Sequence, residues 1–336
     1  MMSIATAVCM TMLAADSITP SRVYYQINRP VPVTVAGAGA KRELVVLGPD
    51  GTELKRADAP AMAPTDSGQA QAGQTIDLAA VFPDFWTLDS LFYVQFLSDG
   101  NAVGPALVCQ PLKDQGRPVV RYELRGGQQI PMVESWPMPP KEMQFMTGMR
   151  VYPERQVVMH TTMGDVTLAM RPDEAPNTAW NFLELAERGF YTDIPIHRIV
   201  AKDRNGDPFV IQAGDPTGTG EGGPGYLIDL EPTNLQHDIG VISMARATDL
   251  DTAGSQFFLC LSRKATARLD KQYGAFGQTV SGFDTIERLS QVPTDEQTQR
   301  PMEMPYVTSM QLIDAAPRIP GVKPAWMTPP TTLDGK

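Results

Sequence analysis

The feature that most constrains the fold of this chain is a series of four short segments in its second half. In order along the chain, they are 196–199 (IHRI), 209–215 (FVIQAGD), 242–247 (ISMARA) and 254–259 (GSQFFL). A predicted helix at 178–188 precedes this series, and a Leu269-Asp270 segment follows it. One such segment would be weak evidence for any fold, whereas four in a fixed order are strong evidence. Fold and function can therefore be predicted from the second half of the chain.

The start of this half predicts a hairpin followed by a helix. Segments 157–162 and 166–170 are predicted strands joined by a short turn. Asn177 can cap the helix at 178–188, and Gly189 can end it in the left-handed conformation. The apolar residues at positions i, i+3, i+4 and i+7 form one face of this helix: Ala179, Phe182, Leu183 and Ala186.

In this order the segments resemble the active-site strands of a cyclophilin, a peptidyl-prolyl cis/trans isomerase. The resemblance extends from about residue 157 to about residue 312. It implies a mainly β fold, a cyclophilin-like closed antiparallel β-barrel with two helices, the second of which is predicted at 284–291. It also implies that the chain catalyses rotation about X-Pro bonds and assists protein folding, so the expected partners are proline-containing peptides and unfolded or partly folded proteins.

Rotation about a peptide bond is slow because resonance gives the C–N bond partial double-bond character, with a barrier of ~18–20 kcal/mol. Both isomers of X-Pro bonds are populated, and their uncatalysed exchange takes about tens of seconds. A catalyst needs an apolar slot for the proline ring, a cation or donor directed at the imide nitrogen, and groups that hold the flanking backbone. No nucleophile or general base is required, and no cofactor is expected.

The resemblance assigns catalytic roles to Arg198 and Gln212. Arg198 matches the arginine whose guanidinium donates toward the proline nitrogen in the twisted transition state. A permanently charged, planar donor suits this task because the nitrogen lone pair appears only when resonance is lost. Gln212 matches the glutamine that hydrogen-bonds the substrate and helps to orient the arginine. The ordinary alternative is a surface or ion-paired arginine in an apolar strand.

The resemblance also implies a groove that binds the substrate. The walls of its proline pocket match Phe209, Val210, Phe258 and Leu269. Tyr273 falls where many family members carry histidine. Arg246 and Ala247 align with the strand edge that pairs with the peptide backbone, and Gln256 lies beside this edge. Phe257 is predicted to be core, because adjacent strand residues point to opposite faces.

Two departures from the family pattern are visible. Residues 199–208 separate Arg198 from Phe209 by more than the usual spacing, which indicates an inserted polar loop that could shape substrate access. Arg268 occupies the place where cyclosporin-sensitive members carry tryptophan, so cyclosporin binding is expected to be weak. The glycine-rich run 218–225 lacks the ending of a phosphate loop and instead resembles the loop beside the cyclophilin groove.

Composition argues against several functions. A net charge of −10 and a pI near 4.9 argue against nucleic acid as a partner, since such proteins usually have a basic surface. The three histidines, His160, His197 and His237, and the three cysteines lack metal-ligand spacing, so no metal is expected. His197 and His237 are assigned to structure. The apolar stretch 4–15 is too short for a transmembrane segment.

The first half predicts a different kind of unit. Short strands between Val23 and Leu112, joined by turns such as Asp50-Gly51, suggest a small β-sandwich, with the immunoglobulin-like type as one option. The predicted division is a signal-like or flexible N-terminus at 1–20, a β-sandwich-like domain at 21–125, a linker at 126–155, the isomerase domain at 156–314 and a Pro-rich tail at 315–336. An exported or periplasmic location and a cytoplasmic one both stay open.

Three functional hypotheses follow. The first is a proline isomerase whose N-terminal domain recruits or positions clients. The second is a peptide-binding or scaffold protein that keeps the groove but has little turnover. The third is an adhesion or scaffold module with an accessory isomerase. Arg198 and Gln212 favour the enzyme, because a docking module has no need of the arginine.

Overall fold

The structure, a computed structural model, describes residues 17–37, 39–60, 73–140 and 144–328. Most of the predicted N-terminal segment 1–20 and the end of the predicted tail lie outside the described residues. The chain divides into two compact units by its contacts. One consists of the described parts of Met1–Cys109, Gly148–Glu154 and Ala316–Val322, and the other of those of Gln110–Thr147, Arg155–Ala315 and Lys323–Lys336.

The first unit is built mainly from β-strands. They are β1 (Ser17–Pro20), β2 (Tyr24–Gln26), β3 (Pro32–Ala36), β4 (Arg42–Leu47), β5 (Glu53–Asp58), β6 (Gln74–Asp77), β7 (Phe92–Ser98), β8 (Asn101–Ala102), β9 (Leu107–Leu112) and β12 (Gly148–Pro153), with helix α1 (Leu78–Val81) and a 3₁₀ turn at Phe85–Thr87. The division between the units falls within β9, after Cys109. Strands β1, β3 and β6 form one sheet. A second sheet has the order β2-β12-β9-β7-β4-β5, and β8 pairs with β7. Strands β4 and β7 are buried along their whole length, which suits their place inside the second sheet.

A residue from the predicted C-terminal tail is buried in the first unit. Arg318, in the predicted Pro-rich tail, is 5% exposed and donates from Nε and Nη2 to the two carboxylate oxygens of Glu154 at 2.7 Å each. Its guanidinium carbon lies 3.4 Å from the centre of the Tyr93 ring. A fork-shaped donor that meets a carboxylate with two hydrogen bonds is the strong form of this ion pair. This part of the tail is therefore packed.

The second unit contains the region of the four sequence segments. Its strands are β10 (Val119–Arg125), β11 (Gln128–Ser135), β13 (Arg155–Thr161), β14 (Gly164–Met170), β15 (Ile194–Pro195), β16 (Arg198–Val200), β17 (Val210–Ala213), β18 (Val241–Met244), β19 (Phe257–Cys260), β20 (Ala275–Ser281) and β21 (Tyr306–Asp314). Its helices are α2 (Pro176–Glu187), α3 (Arg263–Thr266) and α4 (Phe283–Ser290), with 3₁₀ turns at Ala267–Leu269 and Ala325–Met327.

Nine of these strands form one antiparallel sheet. Its order is β15-β21-β13-β14-β20-β18-β19-β17-β16. The mainly β fold is confirmed, and the predicted hairpin at 157–170 is the pair β13–β14. The expected closed barrel is wrong, because the sheet is curled but open. Its two end strands do not pair with each other: β15 pairs with β21, and β16 pairs with β17. Ile196 and His197 separate these two short end strands and belong to neither.

The two expected helices are α2 and α4, but α2 begins differently from the prediction. Asn177 is not the N-cap, because Pro176 is already helical and Ala175 precedes it. The Glu231 carboxylate caps the helix instead: it accepts from the backbone N–H of Asn177 at 3.0 Å and of Thr178 at 2.7 Å. Gly189 follows the helix with φ of 76°, as predicted.

The region around residue 130 departs from the predicted division. Strands β10 and β11 form a hairpin that belongs to the second unit with the rest of Gln110–Thr147, whereas β12, inside the predicted linker, belongs to the first. The chain therefore passes between the units more than once. The domain bounds stay a proposal.

Candidate active site

Three neighbouring strands place the predicted catalytic residues side by side. In the ladder of β16, β17 and β19, Arg198 lies opposite Gln212, and Gln212 lies opposite Phe258. Directly opposed residues of adjacent antiparallel strands have their side chains on the same face of the sheet. The register therefore puts the cation, the amide and the aromatic ring in one row, although residues 198 and 258 are far apart in the sequence.

Hydrogen bonds hold the guanidinium of Arg198 on both sides. Its Nη1 donates to Gln212 Oε1 at 3.1 Å, and its Nε donates to Gln299 Oε1 at 2.8 Å. Burial lowers the pKa of Arg198 from its ordinary value, but a guanidinium remains protonated at neutral pH. The site thus holds a fixed, partly desolvated positive charge.

The amide of Gln212 connects this charge to the neighbouring loop. Gln212 Nε2 donates to Gln256 Oε1 at 2.9 Å, and Gln256 Nε2 donates to the carbonyls of Gly220 and Gly222 at 2.8 and 2.9 Å. The side-chain amides of Gln212 and Gln256 each accept with the oxygen and donate with the nitrogen, so these hydrogen bonds determine the orientation of both amides. The loop around Gly220 is therefore tied to Arg198 through two glutamines.

A small cavity of about 110 Å³ lies beside Arg198. Its lining brings together most of the predicted site: Arg198, Phe209, Val210, Gln212, Ala245, Arg246, Phe258, Leu269 and Tyr273. The Phe258 and Tyr273 rings meet edge to face, with centroids 5.7 Å apart. The lining combines aromatic and aliphatic side chains with three polar ones, namely Arg198, Gln212 and Arg246.

Arg246 and Tyr273 form one wall of this cavity, which we call the Arg246–Tyr273 wall. The Arg246 guanidinium carbon lies 4.6 Å from the centre of the Tyr273 ring. Arg246 also donates from Nε and Nη2 to the carbonyl of Gln272 at 3.2 and 3.1 Å. Burial lowers the pKa of Arg246. This wall comes from segments outside the three-strand row that holds Arg198.

A wider cavity of about 600 Å³ adjoins the first and shares Gln212, Ala245 and Arg246 with it. It contains the remaining predicted residues, Ala247 and Gln256, and the glycine-rich run 220–225. Asp215 organises the start of this run: although burial opposes ionisation, hydrogen bonds from Thr217 and from the backbone of Gly222 and Gly220 lower its pKa to about 2. The glycine-rich loop thus flanks the groove, as predicted.

The inserted loop and Arg268 meet at the edge of the small cavity. The guanidinium carbon of Arg268 lies 4.1 Å from the centre of the Phe209 ring, one of the cavity walls. Its Nη1 donates to the Ala265 carbonyl at 2.8 Å and lies 3.3 Å from Asp203 Oδ2. Asp203 belongs to the loop at 199–208. The insertion therefore reaches the pocket through Arg268.

An ion-pair network supports the segment that carries Leu269. Asp270 accepts from Arg263 Nη2 at 2.6 Å and from the backbone N–H of His237 at 2.9 Å. Although burial opposes ionisation, hydrogen bonds from His237 and Arg263 hold the pKa of Asp270 well below its usual range. His237 is fully buried, and its ring nitrogen Nε2 lies 3.0 Å from Ser243 Oγ. His237 thus contributes to structure, as does Phe257, which is 1% exposed.

Sequence reasoning missed three supporting residues, namely Gln299, Asp270 and Gln272. Gln299 bonds Arg198 from a turn about a hundred residues away in the chain. Its φ of 59° is unusual for a residue other than glycine, but nothing in the sequence signals it. The sequence indicates the Leu269-Asp270 segment but not the bonds of Asp270 to Arg263 and His237. Long-range side-chain bonds of this kind leave no periodic pattern.

Two further observations concern the described residues. No three His, Cys, Asp or Glu side chains among them are grouped so that they could hold a metal ion. No helix within the described ranges is both long and apolar enough to cross a membrane.

Comparisons with known proteins agree on one family. The model of the cyclophilin-type peptidyl-prolyl cis-trans isomerases matches residues 156–312. The chain is 39% identical over 164 residues to peptidyl-prolyl cis-trans isomerase CYP18-2 of Arabidopsis thaliana, covering 47% of this chain and 94% of that protein. It is 38% identical over 159 residues to peptidyl-prolyl cis-trans isomerase-like 2 of Rhizopus delemar, covering 46% of this chain but only 28% of that protein's length.

One solved structure is also similar to about half of the chain. It is a cyclophilin-type peptidyl-prolyl cis-trans isomerase of Cryptosporidium parvum, with 30% sequence identity, a TM-score of 0.44 and coverage of 48% of this chain and 99% of that one. The family model does not extend to residues before 156.

Proposed function

This chain belongs to the cyclophilin-type peptidyl-prolyl cis-trans isomerase family, and we propose that its isomerase activity on X-Pro bonds depends on Arg198 as the donor to the proline nitrogen. One observation carries the assignment: hydrogen bonds from Nε and Nη1 to Gln299 and Gln212 hold the guanidinium beside a small cavity with aromatic and aliphatic walls. A donor that is already oriented costs little reorganisation during the reaction.

The chemistry follows from what changes during rotation. In the planar ground state the nitrogen lone pair is delocalised into the carbonyl, so the nitrogen is a poor acceptor. In the twisted transition state the lone pair is localised and accepts a hydrogen bond. Arg198 then stabilises the transition state more than the ground state, which is the condition for a faster reaction. Gln212 holds the guanidinium and offers its amide to the substrate backbone.

We assign the proline ring to the small cavity. Phe209, Val210, Phe258 and Leu269 supply its apolar walls, and the Arg246–Tyr273 wall limits its other side. We assign the backbone that continues from the proline to Ala247 and Gln256, which line the wider cavity. The substrates are therefore proline-containing peptides and unfolded or partly folded proteins, whose X-Pro bonds are accessible.

The second candidate function is a peptide-binding or scaffold protein with little turnover. We further propose that the two β-sheets of the first unit form a small β-sandwich domain of immunoglobulin-like type, which recruits or positions clients for the isomerase. The held arginine favours the enzyme, since binding alone does not need a donor at the rotating bond. Weak cyclosporin binding is also proposed, because Arg268 covers Phe209 where cyclosporin-sensitive relatives carry tryptophan.

The test is a protease-coupled isomerisation assay on short X-Pro peptides with the full chain. We expect Arg198→Ala to lower kcat/KM by about two to three orders of magnitude, the cost of losing one preorganised charged donor. Arg198→Lys should recover little, because an ammonium cannot make the two bonds of the planar fork. Circular dichroism melts show whether both variants are folded. A folded Arg198→Ala protein that isomerises at the wild-type rate would overturn the role of Arg198. A wild-type chain that binds the peptides without detectable turnover would favour the binding protein.

A further inference from the structure

A hairpin that precedes the family-matched region packs beside the groove, within the second unit. Val133 of β11 is 7% exposed and forms an apolar cluster with Leu230 and Leu250, both 8% exposed. Val120 of β10 and Trp136, just after β11, pack against the same cluster. Leu250 belongs to the loop that follows Arg246 and Ala247. The base of the hairpin therefore packs against a loop of the groove and is not exposed to solvent on this side.

An ion pair fixes the same region from the chain before the hairpin. Arg117 Nη1 lies 2.6 Å from Asp229 Oδ2 and 3.8 Å from Asp251 Oδ2. Asp251 in turn accepts from the backbone N–H of Leu230 at 2.9 Å. These groups are exposed, so their contribution to stability is small. They show instead that the chain before the hairpin contacts the same loops: Asp229 and Asp251 are the chain neighbours of Leu230 and Leu250 in the apolar cluster.

One side chain of the groove region pairs with the hairpin as a neighbouring strand would. Gln272 Oε1 accepts from the backbone N–H of Val133 at 2.8 Å, and Gln272 Nε2 donates to the backbone carbonyl of the same residue at 3.0 Å. A primary amide has one acceptor and two donors in the arrangement of a peptide unit, so it can satisfy both groups of an edge residue. Glutamine is the side chain whose amide and length allow this pairing here.

The backbone of Gln272 holds the Arg246–Tyr273 wall. Its carbonyl accepts two hydrogen bonds from the Arg246 guanidinium, which in turn stacks on Tyr273, the next residue. Side chain and backbone of Gln272 therefore connect two structures: the hairpin on one side and the wall of the small cavity on the other. Lys271, just before it, has a φ of 61°, so this turn departs from the ordinary backbone conformation of such a residue.

We propose that the β10–β11 hairpin positions the Arg246–Tyr273 wall through Gln272, and that it is a part of the substrate site supplied by a segment outside the family-matched region. Gln272 is a positioning residue, because it acts on the substrate through Arg246 and Tyr273. The proposal rests on the proposed use of this wall to bind the proline segment.

The expected kinetic signature separates this role from a purely structural one. The wall contacts the proline ring and its flanking backbone in the ground state and in the transition state alike. Loss of such uniform binding raises KM and leaves kcat nearly unchanged. A general loss of folded protein would instead lower the apparent kcat and leave KM unchanged.

The experiment uses the full chain with Gln272→Met, which keeps the length of the side chain and removes both bonds to Val133. Gln129→Met, an exposed position of the same hairpin, is the matched control. We expect Gln272→Met to raise KM for a short Ala-Pro peptide, and its calorimetric Kd, by about three- to tenfold with kcat within about twofold. Trp136→Leu, which weakens the seat of the hairpin and leaves Gln272 intact, should shift Kd in the same direction by a smaller factor.

Tyr273→Leu is the reference that separates the two possible failures. If Tyr273→Leu weakens peptide binding but Gln272→Met and Trp136→Leu bind as the wild type does, the role of the hairpin is wrong and the proposed wall stands. If Tyr273→Leu also binds normally, the proposed use of the wall is wrong and the role of the hairpin falls with it. A fall in kcat with unchanged KM for Gln272→Met would likewise overturn the proposal.

Discussion

The two sides of the small cavity are built by different means. On the side of Arg198, three adjacent strands fix the positions of the side chains through their backbone register. On the side of Arg246 and Tyr273, no such ladder holds the wall; hydrogen bonds to a turn and a distant hairpin do. A strand ladder is cooperative and resists local change, whereas a wall made of loop contacts can be altered one bond at a time. The strand side suits catalysis, and the loop side suits the choice of substrate.

The largest effect of breaking the strand side should come, after Arg198 itself, from Gln212. Gln212→Leu removes the acceptor of Arg198 Nη1 and the donor to Gln256 at once. We expect kcat/KM to fall by about ten- to a hundredfold, mostly in kcat, because a misplaced donor acts on the transition state. Stopped-flow isomerisation kinetics measure this change. An effect confined to KM would mean that Gln212 only binds substrate.

Gln299 provides the matched change on the same arginine. Gln299→Leu removes only the bond to Nε and leaves the link to Gln256 intact. A smaller fall in kcat than in Gln212→Leu is expected.

Removing a charge on the loop side should affect stability more than chemistry. Asp270→Asn weakens the hydrogen bonds from Arg263 and His237 that hold the segment of Leu269. Hydrogen bonds to charged groups contribute about 1.5–3 kcal/mol, so the free energy of unfolding should fall by about 2 kcal/mol. Urea denaturation of the full chain measures it, provided that the transition of the second unit is followed separately. Asp284→Asn, in an exposed pair with Arg288, is the control and should change stability little.

The buried histidines add a pH dependence to this comparison. Burial lowers the pKa of both His197 and His237 in the folded state. Above the unfolded-state pKa of about 6.5 both histidines are neutral in the folded and in the unfolded chain, so their burial costs no stability there. As the pH falls below this value the unfolded chain binds protons first, and the free energy of unfolding decreases until the folded pKa is passed. Urea titrations at pH 7.5 and 5.5 test the sign, and His237→Gln should reduce the slope. A free energy of unfolding that is higher at pH 5.5 than at pH 7.5 would contradict the account.

The difference between the two sides also explains what could be predicted from the sequence. Arg198, Gln212 and Phe258 lie in short strands whose order resembles one family, and once the strands pair, the register places the side chains. Phe257 was assignable to the core from alternation alone. By contrast, Gln299, Gln272 and Asp270 act through single long-range bonds. Such bonds have no period and no spacing rule, so they become visible only in the folded chain.

The first half shows the same limit. The hairpin at Asp50-Gly51 is predictable because both residues tolerate positive φ in a turn between two predicted strands, and the structure pairs β4 with β5 there. The segment 126–155 reads as a linker from its prolines and methionines, but it contains the whole of β11 and β12. The absence of closure in the nine-stranded sheet was not predictable either, because it depends on Ile196 and His197 lying between two strands of two and three residues.

The central claim is that the strand side supplies the chemistry and the loop side the binding. Its most direct test is a parallel measurement of kcat and peptide Kd for Arg198→Ala and Tyr273→Leu in the full chain, with the same Ala-Pro peptide. The account predicts that Arg198→Ala lowers kcat by about two to three orders of magnitude and changes Kd by less than about threefold, while Tyr273→Leu raises Kd and leaves kcat within about threefold. If Tyr273→Leu instead lowers kcat as strongly as Arg198→Ala does, at unchanged Kd, the division of labour between the two sides is contradicted.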